Sequence, residues 1–348
     1  MTLDINIRVT GCVGRITLSR PTALNALTWD MALKIDTALQ DWATDASVAM
    51  VVIDAIGDKA FCAGGDLAEM YRSGSAGDFG YGRRFWADEY RMNARLFNFP
   101  KPVAAFMQGF TMGGGVGVGC HGSHRVVGDT SRIAMPECGV GLVPDVGGSL
   151  ILARAPGRLG EYLGTTAARM GPSDAIHAGF ADYYIPEADW PQLMSALETS
   201  GDWTLIDAAA RPAPASTLAA DQPWIDGHFG GETFDDILRS LRTDDSEKSN
   251  AAIKSLTRNS PISMAVTVQM IHRLRGPAAT IERALDLEYR FTARSMEHGD
   301  FLEGIRALII DKDKAPKWRH ALGKVTSMEV ANMLMPLGDG ALALEEAT

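Results

Sequence analysis

The sequence predicts an α/β fold in which a largely parallel sheet with crossover helices gives way to a helical C-terminal part. Three observations predict it. The apolar runs Ala49-Met-Val-Val-Ile-Asp54 and Val103-Ala-Ala-Phe-Met107 lack alternation, as strands covered on both faces do. Each is followed by a glycine turn, at Gly64 and Gly65 or at Gly113, Gly114 and Gly115, and then by a helical pattern. Beyond Asp189 helical periods dominate, so the strand–helix alternation ends there.

The elements follow in order. Ile5-Asn-Ile-Arg-Val-Thr10 and Val13-Gly-Arg-Ile-Thr-Leu18 flank Gly11 and predict a hairpin. Thr28 stands before a helical pattern through Leu33, Ile35, Leu39 and Trp42, in position to cap it. Asp66 with Glu69 predicts a capping box opening a second helix. Further on, Phe85, Glu89, Met92 and Leu96 fall at i, i+4, i+7 and i+11, so Glu89 shares an apolar stripe. A carboxylate there is costly unless it is paired, by Arg83, Arg91 or Arg95, or faces a polar cavity. The pattern leaves both open. Residues 171–180 read as a short capped helix and Asp182-Tyr-Tyr-Ile185 as a strand, and the longest helix is expected from Pro277 to about Met296.

Composition narrows the function. The 348 residues are 46% hydrophobic and 22% charged, ordinary for a globular chain. The net charge of −10, with no basic stripe, argues against nucleic-acid binding. No apolar run reaches the roughly 20 residues of a membrane span. The N-terminus has neither a basic start nor an apolar signal core, which predicts a cytoplasmic protein. Cys12, Cys62, Cys120 and Cys138 form no CxxC pair and read as reduced thiols. His121 and His124 lack a nearby third ligand, so no metal site is expected.

Two segments carry the chemistry. Gly109-Phe-Thr-Met-Gly-Gly-Gly-Val-Gly-Val-Gly119 sets three glycines beyond a buried strand, and Met135-Pro-Glu-Cys-Gly-Val-Gly-Leu-Val-Pro-Asp-Val-Gly-Gly148 places Glu137 and Asp145 among small and apolar residues. Glycines let backbone approach a ligand, and a helix starting there offers free N–H groups. Backbone donors with two acids suit a reaction that builds negative charge on a carbonyl oxygen. A P-loop would need Gly-Lys-Ser/Thr where this chain has Val-Gly-Cys, and no acidic partner for a dinucleotide site follows.

Phe61-Cys-Ala-Gly-Gly-Asp-Leu67, the glycine segment and Met135-Pro-Glu137, together with Arg20-Pro-Thr-Ala-Leu-Asn-Ala-Leu27, resemble the enoyl-CoA hydratase/isomerase (crotonase) superfamily. The resemblance implies a crotonase-like ββα spiral core with a C-terminal helical extension. It divides the chain into an acyl-CoA-binding core, 1–190, a helical region, 191–322, and a weakly patterned tail, 323–348, either disordered or a partner-binding helix. It implies an oxyanion hole formed by the N–H groups of Gly65 and Gly114, each at a helix N-terminus. Losing one such donor typically costs about 3–4 kcal/mol of transition-state stabilisation.

The departures from the hydratase pattern select a branch. Where hydratases usually carry their first catalytic glutamate this chain has Gly117; Glu137 matches the second, and Asp145 is an additional acid. That pattern resembles 3-hydroxyisobutyryl-CoA hydrolases, as do Ser260-Pro-Ile-Ser263, Glu288-Tyr-Arg290, Asp300-Phe-Leu-Glu-Gly-Ile-Arg306 and Ile310-Asp-Lys-Asp-Lys-Ala-Pro-Lys-Trp318. In that branch the residues matching Glu89, Gly114, Glu137 and Asp145 contact substrate. The implied reaction is thioester hydrolysis in valine catabolism, with Glu137 as general base or as nucleophile forming a mixed anhydride, and Asp145 holding the substrate 3-hydroxyl or water. No metal or redox cofactor is implied, CoA being part of the substrate, with its phosphates near Arg20 or Lys59. The family often forms trimers or hexamers. An enoyl-CoA hydratase/isomerase and a non-catalytic assembly protein remain as alternatives.

Overall fold

A computed structural model describes residues 4–344. The chain folds as two compact units, one comprising Met1–Gly65, Arg91–Ala134 and Arg169–Ala219, the other Asp66–Tyr90, Met135–Ala168 and Ala220–Thr348. These boundaries fall elsewhere than the sequence boundaries at 190 and 322. The segment bearing Glu137 and Asp145 belongs with the C-terminal helices because the helices Gly148–Arg154 and Leu159–Thr166 pack against the helix Pro261–Leu274.

The first unit is built on two sheets. β1 (Ile5–Thr10) and β2 (Val13–Leu18) form the hairpin, with Gly11 at φ +56° in its turn. β3 (Met50–Ala55), β5 (Val103–Met107), β7 (His124–Val127) and β9 (Tyr183–Tyr184) extend it in parallel, in the order β1-β2-β3-β5-β7-β9. Val52, Ala104, Phe106 and Val126 pack there against Trp190, Leu193 and Leu197 of the helix Trp190–Ser200. The smaller sheet joins β4 (Ala60–Cys62), β6 (Phe110–Met112) and β8 (Arg132–Ala134), also in parallel. Thr28 caps the helix Trp29–Thr44 by accepting from the Met31 N–H at 3.2 Å.

The second unit is mainly helical. Asp66 caps Leu67–Ser75 through Ala68, but Glu69 does not close a capping box; it pairs instead with Arg72, one turn on. The expected C-terminal helix runs Ile281–His298, starting where Thr280 accepts from the Arg283 N–H, and the helix Phe79–Phe97 is one residue longer. Residues 323–344 of the tail carry the helix Ser327–Met333, capped by Thr326 with a reciprocal bond from Glu329 and burying Val330 and Met333. Residues 1–3 and 345–348 lie outside the described residues. No helix among the described residues is long and apolar enough to cross a membrane.

Candidate active site

The first unit presents a pair of backbone donors. β4 and β6 are neighbours, and each ends in a glycine turn: Gly64 at φ +116° and Gly113 at φ +50° take conformations that side chains disfavour. The two turns run side by side, since a Cβ on Gly115 would lie 2.2 Å from the Cys62 carbonyl oxygen and one on Gly64 would lie 3.5 Å from that of Met112. Gly114 opens the helix Gly114–Gly119, and its N–H has no intrahelical acceptor. Gly65 lies just before the Asp66 cap and bridges to Leu27, whose own N–H donates to the Gly64 carbonyl at 2.9 Å. Neither the Gly65 nor the Gly114 N–H has a backbone acceptor among the described residues.

Elsewhere in this unit Arg20 donates to the Ala26 carbonyl at 2.6 Å, and Lys59 is exposed. His124 bonds Ser123 Oγ through Nδ1 at 2.9 Å and stacks on Tyr183, while His121 packs edge-on to Phe97.

The second unit gathers the acids. Glu89 and Tyr90 come from the helix Phe79–Phe97, and Glu137 opens the short 3-10 helix Glu137–Val140. Asp145 stands in the turn before Gly148–Arg154, and Glu288 lies inside Ile281–His298. All four carboxyl groups are buried, between 0 and 5% exposed. Tyr90 donates its hydroxyl to Asp145 Oδ2 at 2.7 Å. Glu288 accepts from the N–H groups of Gly147 at 2.8 Å and Ser149 at 3.1 Å, and from the Ser149 hydroxyl.

A buried acid is usually neutralised by a cation, and this protein does so at Glu161. There burial opposes ionisation, but His272 at 3.1 Å and Arg275 at 2.6 Å outweigh it and hold the carboxyl below its usual range. The site acids are different. Arg83 pairs with Glu297 and Arg95 with Asp36, and neither they nor Arg91 are among the groups acting on Glu89, whose Oε1 is buried without a hydrogen-bond partner among the described residues. The Oε2 of Glu137 is likewise buried and unpartnered.

Burial first, then the charge of Asp145, raises both Glu89 and Glu137 well above the ordinary carboxylate range. Burial also lifts Asp145 to about 7, against the lowering effect of the Tyr90 bond. Glu288 is carried to about 8, burial again exceeding the effect of its three donors. An acid lifted to about 7, as Asp145 is, suits general acid–base work.

The structure therefore brings Glu89, Glu137 and Asp145 together in one unit and sets the turns of Gly65 and Gly114 beside each other in the other. Sequence reasoning missed Tyr90 and Glu288 as neighbours of these acids. A signal for Glu288 existed: with Ile281, Ala284, Leu285 and Thr292 it occupies one buried stripe, the same conflict that singled out Glu89.

Comparison with known proteins follows the same lines. A curated relative from Xenopus tropicalis, named 3-hydroxyisobutyryl-CoA hydrolase, mitochondrial, is 35% identical over 346 residues, covering 96% of this chain and 89% of its own. The Homo sapiens protein of that name is 33% identical, over 97% and 90%. A crystal structure described as an enoyl-CoA hydratase from Rhodobacter sphaeroides 2.4.1 is 56% identical, covers 98% of this chain and 100% of its own, and superposes with a TM-score of 0.95. The family model for enoyl-CoA hydratase/isomerase matches residues 13–334. The fold is thus the crotonase fold, and the chain belongs to the enoyl-CoA hydratase/isomerase family, within which the two curated relatives above are named 3-hydroxyisobutyryl-CoA hydrolases.

Proposed function

We propose that the protein hydrolyses an acyl-CoA thioester, converting 3-hydroxyisobutyryl-CoA and water into 3-hydroxyisobutyrate and CoA, as in valine degradation. The observation that carries this reading is the buried set of Glu89, Glu137 and Asp145, with no cation among the described residues acting on their carboxyls and, for two of them, a carboxyl oxygen without a hydrogen-bond partner there. Donors from Gly65 and Gly114 receive the thioester oxygen as it gains charge. Glu137 either takes a proton from water, whose oxygen bonds to the carbonyl carbon, or bonds there itself to give an anhydride that water then opens. In both routes the carbon–sulfur bond breaks and the thiolate takes up a proton. Asp145 and Glu89 hold the substrate hydroxyl. No metal or redox cofactor enters the proposal.

The name borne by the 56% identical crystal structure favours a second reading, hydration of an enoyl-CoA. Gly117, buried in the helix Gly114–Gly119 and without a side chain, speaks against it, because hydration needs an acid–base pair in the hydratase arrangement. The deciding experiment offers purified protein a panel of acyl-CoAs, reading thiol release and, with crotonyl-CoA, loss of enone absorbance. Thiol release fastest with 3-hydroxyisobutyryl-CoA is expected. Rapid crotonyl-CoA hydration without thiol release from any thioester would replace the hydrolase reading.

A cytoplasmic location and a trimeric or hexameric state complete the proposal. The curated relatives are named as mitochondrial proteins, and cell fractionation and light scattering test the two points here.

A further inference from the structure

Glu288 lies inside the helix Ile281–His298 with 0% of its surface exposed, and among the described residues no cation is seen acting on its carboxyl. The charged or titratable groups near it are Asp145, Glu137 and Tyr90, two of them acids. A carboxyl in such company is a poor choice for packing alone. What it does have is one turn: the N–H of Gly147 at 2.8 Å on one oxygen, and on the other the N–H of Ser149 at 3.1 Å with the Ser149 hydroxyl. Its two oxygens between them accept from all three convergent donors. A carboxamide of the same shape turns an N–H toward one of them.

The turn needs such a hold. Val146 at φ +53° and Gly147 at φ +80° are successive residues in the left-handed region. For a β-branched residue that conformation is an outlier, and it persists only where the surroundings over-determine it. The Gly148 N–H closes the turn on the Asp145 carbonyl at 2.7 Å. Asp145 immediately precedes the strained residue, and its carboxyl meets the Tyr90 hydroxyl.

We propose that Glu288 is a positioning residue, which clamps the strained turn at residues 146–149 and thereby fixes the carboxyl of Asp145 for its part in acyl-CoA turnover. The inference rests on the role given to Asp145 above. It explains why an acid occupies the apolar stripe of this helix, and why the Asp145 turn tolerates valine in a backbone region that favours glycine.

Two measurements test it. In the wild-type protein the Gly147 and Ser149 amides should exchange hydrogen far more slowly than exposed loop amides. Ser149→Ala, which removes one of the three donors, should speed exchange at Gly147. Exchange at loop rates in the wild type would overturn the clamp whatever the substrate proves to be. In kinetics, Glu288→Gln should lower kcat/KM by about 10- to 100-fold, the usual cost of misplacing a reacting group by an ångström. Combined with Asp145→Asn it should add little to the loss from Asp145→Asn alone. Fully additive losses would show that Glu288 does not act through Asp145. The assay uses whichever acyl-CoA the wild type turns over fastest, so failure with 3-hydroxyisobutyryl-CoA counts against the proposed substrate and leaves the clamp to its own tests.

Discussion

The Tyr90 hydroxyl and Asp145 Oδ2 are 2.7 Å apart, and both side chains are buried. The bond stabilises the ionised form of Asp145 and opposes the burial that lifts its pKa to about 7. Tyr90→Phe removes that opposition. The acid limb of the kcat/KM profile should move to higher pH, with a stability loss of about 1–3 kcal/mol from the stranded acceptor. A pH–rate profile and a denaturant titration check the two; an unmoved limb would separate Asp145 from the rate.

Glu137→Gln and Asp145→Asn keep shape and remove charge. Each should cut thioester turnover by about 100-fold or more, within the range for general acid–base groups. Melting temperatures should hold or rise, because each change removes an acid that burial holds above its ordinary range. Wild-type rates for Glu137→Gln would withdraw its assignment.

If Asp145 or Glu89 reads the 3-hydroxyl, isobutyryl-CoA should be a far poorer substrate than its 3-hydroxy form. A site built for a hydroxyl leaves its own polar groups unpaired when the hydroxyl is missing. Equal kcat/KM for the pair would remove hydroxyl recognition.

Stability should fall as pH rises from about 5 to 8. Asp145, lifted to about 7, and Glu288, lifted to about 8, keep their protons in the folded state over a range where the unfolded chain has lost its own. The folded state then binds more protons, and stability declines with pH until the folded groups ionise. Melting curves at fixed ionic strength read the slope. Asp145→Asn should flatten it, and a slope that Asp145→Asn leaves unchanged would assign the effect to other groups.

Gly115 tests the backbone argument. A Cβ there would lie 2.2 Å from the Cys62 carbonyl oxygen, so Gly115→Ala must push the two turns apart. The expected cost is about 1–3 kcal/mol by denaturation, accompanied by loss of turnover. Unaltered stability and rate together would contradict the close approach.

Much of this was legible in the sequence. Continuous apolar runs marked β3 and β5 to within a residue, and Thr28 marked the start of its helix, because burial on both faces and capping are local signals. β4, β6 and β8 were not legible as a sheet. At three residues each they lack periodicity, and only their pairing defines them. The candidate acids Glu137 and Asp145 stood out by motif, whereas their neighbour Glu288 lies 143 residues beyond Asp145, and only tertiary packing brings it to the Ser149 turn. The Asp66–Glu69 spacing fitted a capping box, yet Arg72 offers Glu69 an opposite charge one turn away.

The buried carboxyls bear on how the proposed reaction ends. The acyl group enters as an uncharged thioester, but hydrolysis turns it into an acid that ionises at neutral pH. The new negative charge then arises beside buried acids that burial already holds above their ordinary range, with no cation among the described residues acting on them. Repulsion that the substrate never feels therefore pushes the product out, and the hydroxy acid should be a feeble inhibitor of the enzyme that makes it.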